Sequence, residues 1–235
     1  MQALQQVTST QNKRPIRSFV LRKGRLTDAQ ARALQELWPR FGITSVSGLI
    51  DHRQLFSRVA PLVIEIGFGN GEATWRMARD EPEKDFIGIE VHKPGIGHLL
   101  QALEANGLNN VRIARADAVE FIRDQVPAGS LAEVRIYFPD PWHKKRHHKR
   151  RIIQTPFLDL LAERMLPGGL LHLATDWQPY AEHILEFCEA HPDLENLSPA
   201  GDYCEKPDWR PETKYELRGE KLGQASRDIL FRRKI

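Results

Sequence analysis

A chain of 235 residues that is 41% hydrophobic and 28% charged is long enough for one α/β domain with a real core and too apolar to be globally disordered. No run of about 18 apolar residues occurs and the first residues lack the apolar centre of a signal peptide, which excludes a helical membrane span and predicts a cytoplasmic protein. The net charge of +3 excludes a uniformly basic chain, so any affinity for a polyanion must come from local clusters.

The first such cluster is the N-terminus. Residues 1–26 carry Lys13, Arg14, Arg17, Arg22, Lys23 and Arg25 without an acid and read as a mobile basic arm. Thr27-Asp28-Ala29-Gln30 fits a capping box, and Ala31, Leu34 and Trp38 at helical spacing predict a short helix that ends before Gly42. Polar and small residues then link to about residue 58. From there strand and helix alternate: strand 62–66, a glycine turn at 67–71, helix 72–79, strand 85–90, helix 92–105, strand 111–116, helix 118–124 and strand 134–138. Helix 154–165, strand 170–175 and helix 177–190 follow, and 215–222 with 228–232 read as a final strand pair joined through 223–226. Alternation of this kind predicts a doubly wound, mostly parallel α/β sheet with both faces covered. The chain divides into a basic arm plus short helix (1–57) and the sheet domain (58–235). Cys188 and Cys204 have neither metal-ligand nor redox spacing and are expected to be reduced; no metal is expected.

The segment from Val63 to Gly71, Val-Ile-Glu-Ile-Gly-Phe-Gly-Asn-Gly, is a strand running into a glycine turn and then a helix. In doubly wound sheets ligands bind beyond the carboxyl ends of the strands, where glycines let them approach the backbone. Glu90 ends the second strand 23 residues after Gly67, near the offset at which an acid grips ribose hydroxyls. Asp117 ends the third strand, where it could accept a hydrogen bond from an adenine amino group. A dinucleotide would need Gly-x-Gly-x-x-Gly spacing and a helix N-terminus clear for pyrophosphate. The spacing here is Gly67-x-Gly69-x-Gly71, with Glu65 before it and Glu72 after it, a setting that suits a cationic sulfonium and ammonium. The arrangement resembles the Glu/Asp-x-Gly-x-Gly-x-Gly motif of class I methyltransferases, a Rossmann-like fold that uses S-adenosylmethionine.

The fourth strand runs into Tyr137-Phe138-Pro139-Asp140-Pro141-Trp142, where two prolines lock the backbone around one acid. Six of the nine residues 143–151 are Lys or Arg. Trp142 is the candidate for stacking a splayed base, and His143 is read as an RNA contact or surface group. Asp202, Asp208 and Glu212 read as a solvated loop around Trp209.

The run from Phe138 to Arg151, Phe-Pro-Asp-Pro-Trp-His-Lys-Lys-Arg-His-His-Lys-Arg-Arg, resembles the signature of the tRNA (guanine-N7-)-methyltransferase family. Arg17-Ser18-Phe19-Val20, Gly24-Arg25-Leu26-Thr27, Thr175-Asp176 and Thr213-Lys214-Tyr215-Glu216 agree with it, and the likeness covers the chain from residue 15. The resemblance implies a methyl transfer from S-adenosylmethionine to N7 of a guanine in the tRNA variable loop; the sequence leaves monomer and homodimer equally open. Glu65, Gly67, Gly69, Glu90, Asp117 and Asp140 would bind the cofactor, with Asp140 in the active site. Lys144, Asp176, Thr213, Lys214, Tyr215 and Glu216 would contact the substrate. Arg146, His147, His148, Lys149, Arg150 and Arg151 would contact RNA. The nearest rival is an amino-methylating enzyme with an Asn/Asp-Pro-Pro-aromatic loop, but the second proline is missing here. A non-catalytic RNA binder that keeps a cofactor fold is opposed by the four intact acids Glu65, Glu90, Asp117 and Asp140. A nicotinamide oxidoreductase is the third rival.

Overall fold

The structure is a computed structural model that describes residues 17–20, 24–44, 48–213, 216, 217, 219 and 223–235. Helix α1 (Asp28–Glu36) opens on the expected capping box: Thr27 Oγ1 accepts the Gln30 N–H at 3.2 Å, and Gln30 Oε1 accepts the Thr27 N–H at 3.0 Å. The chain restarts at Leu37 as the short α2 (Trp38–Phe41), with Pro39 in its first turn. Helix α3 (His52–Phe56) lies in the stretch expected to be a link. Its cap is Asp51, whose carboxylate accepts from Arg53 N and Gln54 N.

The sheet is built from β1 (Leu62–Ile66), β2 (Asp85–Ile89), β3 (Val111–Ala114), β4 (Leu131–Tyr137), β5 (Met165–Thr175), β6 (Leu194–Asn196) and β7 (Arg227–Arg233). Their order is β3-β2-β1-β4-β5-β7-β6; every pairing is parallel except those of β7 with β5 and with β6. Strand order reverses between β1 and β4, which opens a crevice at their carboxyl ends. Two faces are covered. Val63 of β1 packs with residues of α1, α4 (Glu72–Asp80) and α5 (Lys93–Ala105), whereas Ile64 and Ile66 pack with α6 (Ala118–Gln125), α7 (Thr155–Arg164) and α8 (Gln178–Glu189). That alternation is the period-2 pleat of a strand buried on both faces. Against α5, Gly97 lets α1 approach: a Cβ there would stand 2.8 Å from Gln30 Cβ.

Two expectations are corrected. The final strand β7 pairs with β5 and β6, so 215–222 is not its partner. Of that stretch, Glu216, Leu217 and Gly219 are helical. Within the basic run, Lys145–Arg150 forms a 3-10 helix where a loop was expected. Cys188 and Cys204 are free thiols. Among the described residues no helix is long and apolar enough to cross a membrane.

Candidate active site

The crevice between β1 and β4 holds a cleft of about 210 Å³, open to solvent on one side. The glycine turn (Gly67), the end of β2 (Glu90 to His92), the start of α6 (Ala116, Ala118) and the 137–140 loop all line it. So do Ser18 and Phe19 of the N-terminal arm.

The floor is the glycine turn. Gly67, Gly69 and Gly71 have φ of 72°, 60° and 76°, which side chains rarely tolerate. A Cβ on Gly67 or Gly69 would meet nothing within 4 Å, so the space above both is open to a ligand. Gly71 instead packs tightly: its Cβ would stand 2.7 Å from Leu99 Cβ. Glu90 staples the turn to β2. Its Oε2 accepts the Gly69 N–H at 3.0 Å, and its Oε1 accepts the N–H groups of Val91 at 2.7 Å and His92 at 3.0 Å. Asp117 caps α6 through Val119 N at 3.0 Å, and its two neighbours rather than its own carboxylate line the cleft.

Glu65 is 2% exposed, and its Oε2 has no hydrogen-bond partner among the described residues. Burial pushes its carboxyl up to about 7, against the pull of Thr74 and Arg135. A buried carboxylate with an orphan oxygen two residues before the turn is a receptor for a cationic group. The orphan acid and the open glycine turn together fit a ligand that presents an ammonium to Glu65 and its remainder to Gly67 and Glu90.

Asp140 stands at the opposite wall of the cleft, exposed, with no hydrogen bond or ion pair among the described residues. Its loop is fixed by strained backbone: Phe138 and Trp142 have φ of 50° and 49°, two of three such non-glycine residues among those described. Positions like these cost about 1–3 kcal/mol each and persist where surrounding contacts enforce them. Below the loop, Tyr137 O–H donates to His172 Nδ1 at 3.0 Å.

The arm is docked where the structure describes it, rather than loose. Trp142 Nε1 donates to Ser18 O at 3.1 Å. Arg150 Nε donates to Arg17 O at 3.0 Å, and Arg150 Nη2 to Phe19 O at 3.1 Å. The Arg150 guanidinium lies 3.8 Å from the Trp142 ring centroid, with His147 edge-on to the same ring. Trp142 is therefore half-buried, with one ring face covered by Arg150 and its indole N–H spent on Ser18, so the arm and not a base is its partner here. Arg150 binds the arm, and the buried Arg151 donates to Pro141 O at 3.0 Å and lies over Tyr180, so neither points at a partner. His148 takes a bond from Arg151, while its carbonyl accepts from Gln154. Desolvation and then the adjacent cations push the His147 imidazole below its usual range. The outward cations of the run are Lys144, Lys145, Arg146 and Lys149.

Asp176 follows β5, and its Oδ2 would lie 3.5 Å from a Cβ on Gly219, which places the short helical stretch of Glu216, Leu217 and Gly219 beside it. Thr213 Oγ1 accepts the Glu216 N–H at 3.3 Å. Glu216 is 3% exposed, with both oxygens bonded by Arg210, so it does not face a substrate. Lys214 and Tyr215 lie outside the described residues. The expected loop around Trp209 is half right: Asp202, Asp208 and Glu212 are exposed, but Trp209 Nε1 donates inward to His172. Arg210 and His172 were not singled out from the sequence.

A family model described as "Putative methyltransferase" matches residues 59–229. The chain is 54% identical over 223 residues to a tRNA (guanine-N(7)-)-methyltransferase of Methylobacillus flagellatus, covering 94% of this chain and 93% of that one. It is 51% identical to the protein of the same name from Alcanivorax borkumensis, with 94% and 92% covered. Among solved structures it is similar in fold to the 16S rRNA methyltransferase KamB, with a TM-score of 0.58 and 18% identity over 83% of this chain and 99% of that one.

Proposed function

The chain belongs to the tRNA (guanine-N(7)-)-methyltransferase family, and from that premise we propose that it moves a methyl group from S-adenosylmethionine to N7 of a guanine in the variable loop of tRNA, forming 7-methylguanosine. The observation that carries this reading is one cleft at the sheet's switch point: Gly67 and Glu90 line one wall and Asp140 the other, with Glu65 buried directly behind the glycine turn. S-adenosylmethionine, when bound, supplies an electrophilic methyl group on a cationic sulfur. Gly67 and Gly69 would leave room for it, Glu65 would hold its ammonium and Glu90 its ribose hydroxyls. Asp117 holds the start of α6 as its cap, so that Ala116 and Ala118 line the cleft where the adenine would lie. The tRNA substrate assigns the enzyme to the cytoplasm.

Guanine N7 is a lone pair without a proton, so the protein needs no general base. Its work is to align the base with the methyl group and to stabilise the positive charge that appears on the ring. Asp140, unpaired and held by a strained loop at the cleft wall, supplies a fixed negative charge for that purpose. Asp176 or Asp140 can accept from guanine N1–H and its 2-amino group, a donor pair that other bases lack. A tRNA with 7-deazaguanosine at the target keeps this edge and loses only the nucleophile. It should bind normally, accept no methyl group and inhibit competitively; methylation of that tRNA at any position would contradict the assignment to N7.

The outward cations grip the phosphate backbone. Replacing Arg146 and Lys149 with alanine should flatten the slope of log affinity against log salt by about 1.5 units, because each phosphate contact contributes about 0.7–0.9. Arg150→Ala should leave the slope within about half a unit, since its donors are spent on the arm. A full unit lost on Arg150→Ala would return that residue to the RNA surface.

Glu65 gives the cofactor site a pH dependence. With its carboxyl raised to about 7, it is protonated in the empty protein at pH 6, and a bound ammonium favours the carboxylate. Cofactor binding should then release a proton, and affinity should rise between about pH 5.5 and 7. For stability the sign is opposite. The acid is neutral in both states below its unfolded pKa; the stability it costs accumulates as pH rises from there to about 7, and stays constant above that. Glu65→Gln should therefore abolish proton release, weaken the cofactor about 10- to 100-fold and leave the empty protein no less stable at pH 8. Calorimetry in buffers of different ionisation enthalpy measures the proton directly.

A further inference from the structure

Behind the 138–142 loop lies a chain of buried polar groups drawn from five parts of the sequence. Tyr137 at the end of β4 donates to His172 Nδ1 on β5, and Trp209 Nε1 donates to the same nitrogen at 3.3 Å. An indole N–H can only donate, so His172 Nδ1 is an acceptor and its proton sits on Nε2, which donates to Asp228 Oδ1 on β7 at 2.7 Å. Asp228 is then gripped by one edge of Arg210: Nε donates to Oδ1 at 2.6 Å and Nη2 to Oδ2 at 2.7 Å. The rest of the same guanidinium grips Glu216, with Nη1 to Oε2 at 2.9 Å and Nη2 to Oε1 at 2.7 Å. Arg210, Glu216, Asp228 and His172 are all 3% exposed or less. The guanidinium also lies 5.8 Å and 5.7 Å from the ring centroids of Tyr137 and Phe138.

Arg210 thus joins the two walls that must meet around the target base: the strained loop that carries Asp140, and Glu216 with Gly219 beside Asp176. We propose that Arg210 is a positioning residue for methyl transfer, which sets Glu216 and its helical neighbours Leu217 and Gly219 against the Asp140 loop, and that Glu216 acts through Arg210 rather than by touching the base. The proposal rests on the methyltransferase reading of the same cleft. A planar fork that serves two carboxylates at once is needed; a lysine ammonium keeps the charge and cannot bridge both. The two acids and one base leave this cluster with a negative charge that its hydrogen bonds fully satisfy. Removing Arg210 leaves two buried carboxylates facing each other, which pushes the segment outward.

The test is single-turnover methyl transfer at saturating cofactor and unmodified tRNA, alongside cofactor affinity by calorimetry. Arg210→Ala should slow transfer about 100-fold, the scale for misplacing a reacting group by about 1 Å. Cofactor affinity should stay within about threefold, because the glycine turn lies on the far wall. Arg210→Lys should recover no more than about a tenth of the rate, and ethylguanidinium added to Arg210→Ala should recover part of it. Should the alanine variant not fold, the lysine variant decides on the same two readouts. Glu216→Gln added to Arg210→Ala should cost nothing further; a multiplied loss would mean that Glu216 reaches the base itself. Full activity in Arg210→Lys, or cofactor affinity lost in step with rate, would overturn the proposal. Failure of the wild-type protein to methylate tRNA would instead overturn the underlying function, so the two failures are separable.

Discussion

Asp140→Ala is expected to lower methyl transfer about 100-fold or more while changing tRNA affinity by less than about tenfold. The two effects part company for a structural reason. Asp140 is a single exposed carboxylate, whereas the surface proposed to hold RNA is the set of outward cations Lys144, Lys145, Arg146 and Lys149. Losing one negative charge from such a surface cannot weaken binding to a polyanion by much. Turnover is another matter, because the positive charge that develops on the guanine ring needs a counter-charge already in place. The strained φ values of Phe138 and Trp142 and the packing of Trp142 under Arg150 hold Asp140 there before substrate arrives. Asp140→Asn, which keeps the shape and removes the charge, should lose nearly as much. Near-normal single-turnover rates in either variant would remove Asp140 from the chemistry.

Gly95→Ala is expected to weaken cofactor binding about 10- to 100-fold, the range for forcing one methyl group into a packed site. A Cβ at Gly95 would stand 1.8 Å from the Gly69 carbonyl oxygen, a backbone atom that cannot rotate away. Either α5 or the glycine turn must move, and moving the turn pulls Gly69 N from Glu90 Oε2. The contrast is Gly97→Ala, two residues along the same helix. Its Cβ would meet Gln30 of α1 instead, so it should lower the melting temperature and leave cofactor affinity nearly intact. Equal cofactor affinity in Gly95→Ala and wild type would mean that the turn tolerates a displaced helix.

The cofactor wall was legible in the sequence because its chemistry is local. An apolar run that ends in Gly67-x-Gly69-x-Gly71 specifies strand, turn and helix in a dozen residues, and Glu90 falls where the next strand must end. The Asp140 loop was legible for the same reason, since two prolines and a flanking acid need no distant partner. What could not be read depends on contacts remote in sequence. His172 and Asp228 lie 56 residues apart, and nothing in a strand such as Leu-His-Leu marks its polar member as buried. Nothing local to Arg210 marks it as buried, because its two carboxylate partners lie 6 and 18 residues away. The stretch around Glu216 was read as a strand from its alternation, but there the ion pair with Arg210 and the cap on Thr213 decide the backbone. β6 is three residues long and carries no periodicity at all. In the basic run, composition could count the cations but not aim them; only the fold turns Arg150 and Arg151 inward. Gly95 and Gly97 appeared as helix-weakening residues, whereas each is the place where another backbone comes within reach.

Incubating the protein with unmodified tRNA and methyl-labelled S-adenosylmethionine, then mapping the labelled nucleotide, tests the central claim most directly. The account predicts one methyl group per tRNA, on N7 of a guanine in the variable loop, with cleavage of the chain at that nucleotide after reduction and aniline treatment. Label on an exocyclic amino group, on a ribose, or on no nucleotide at all would contradict it.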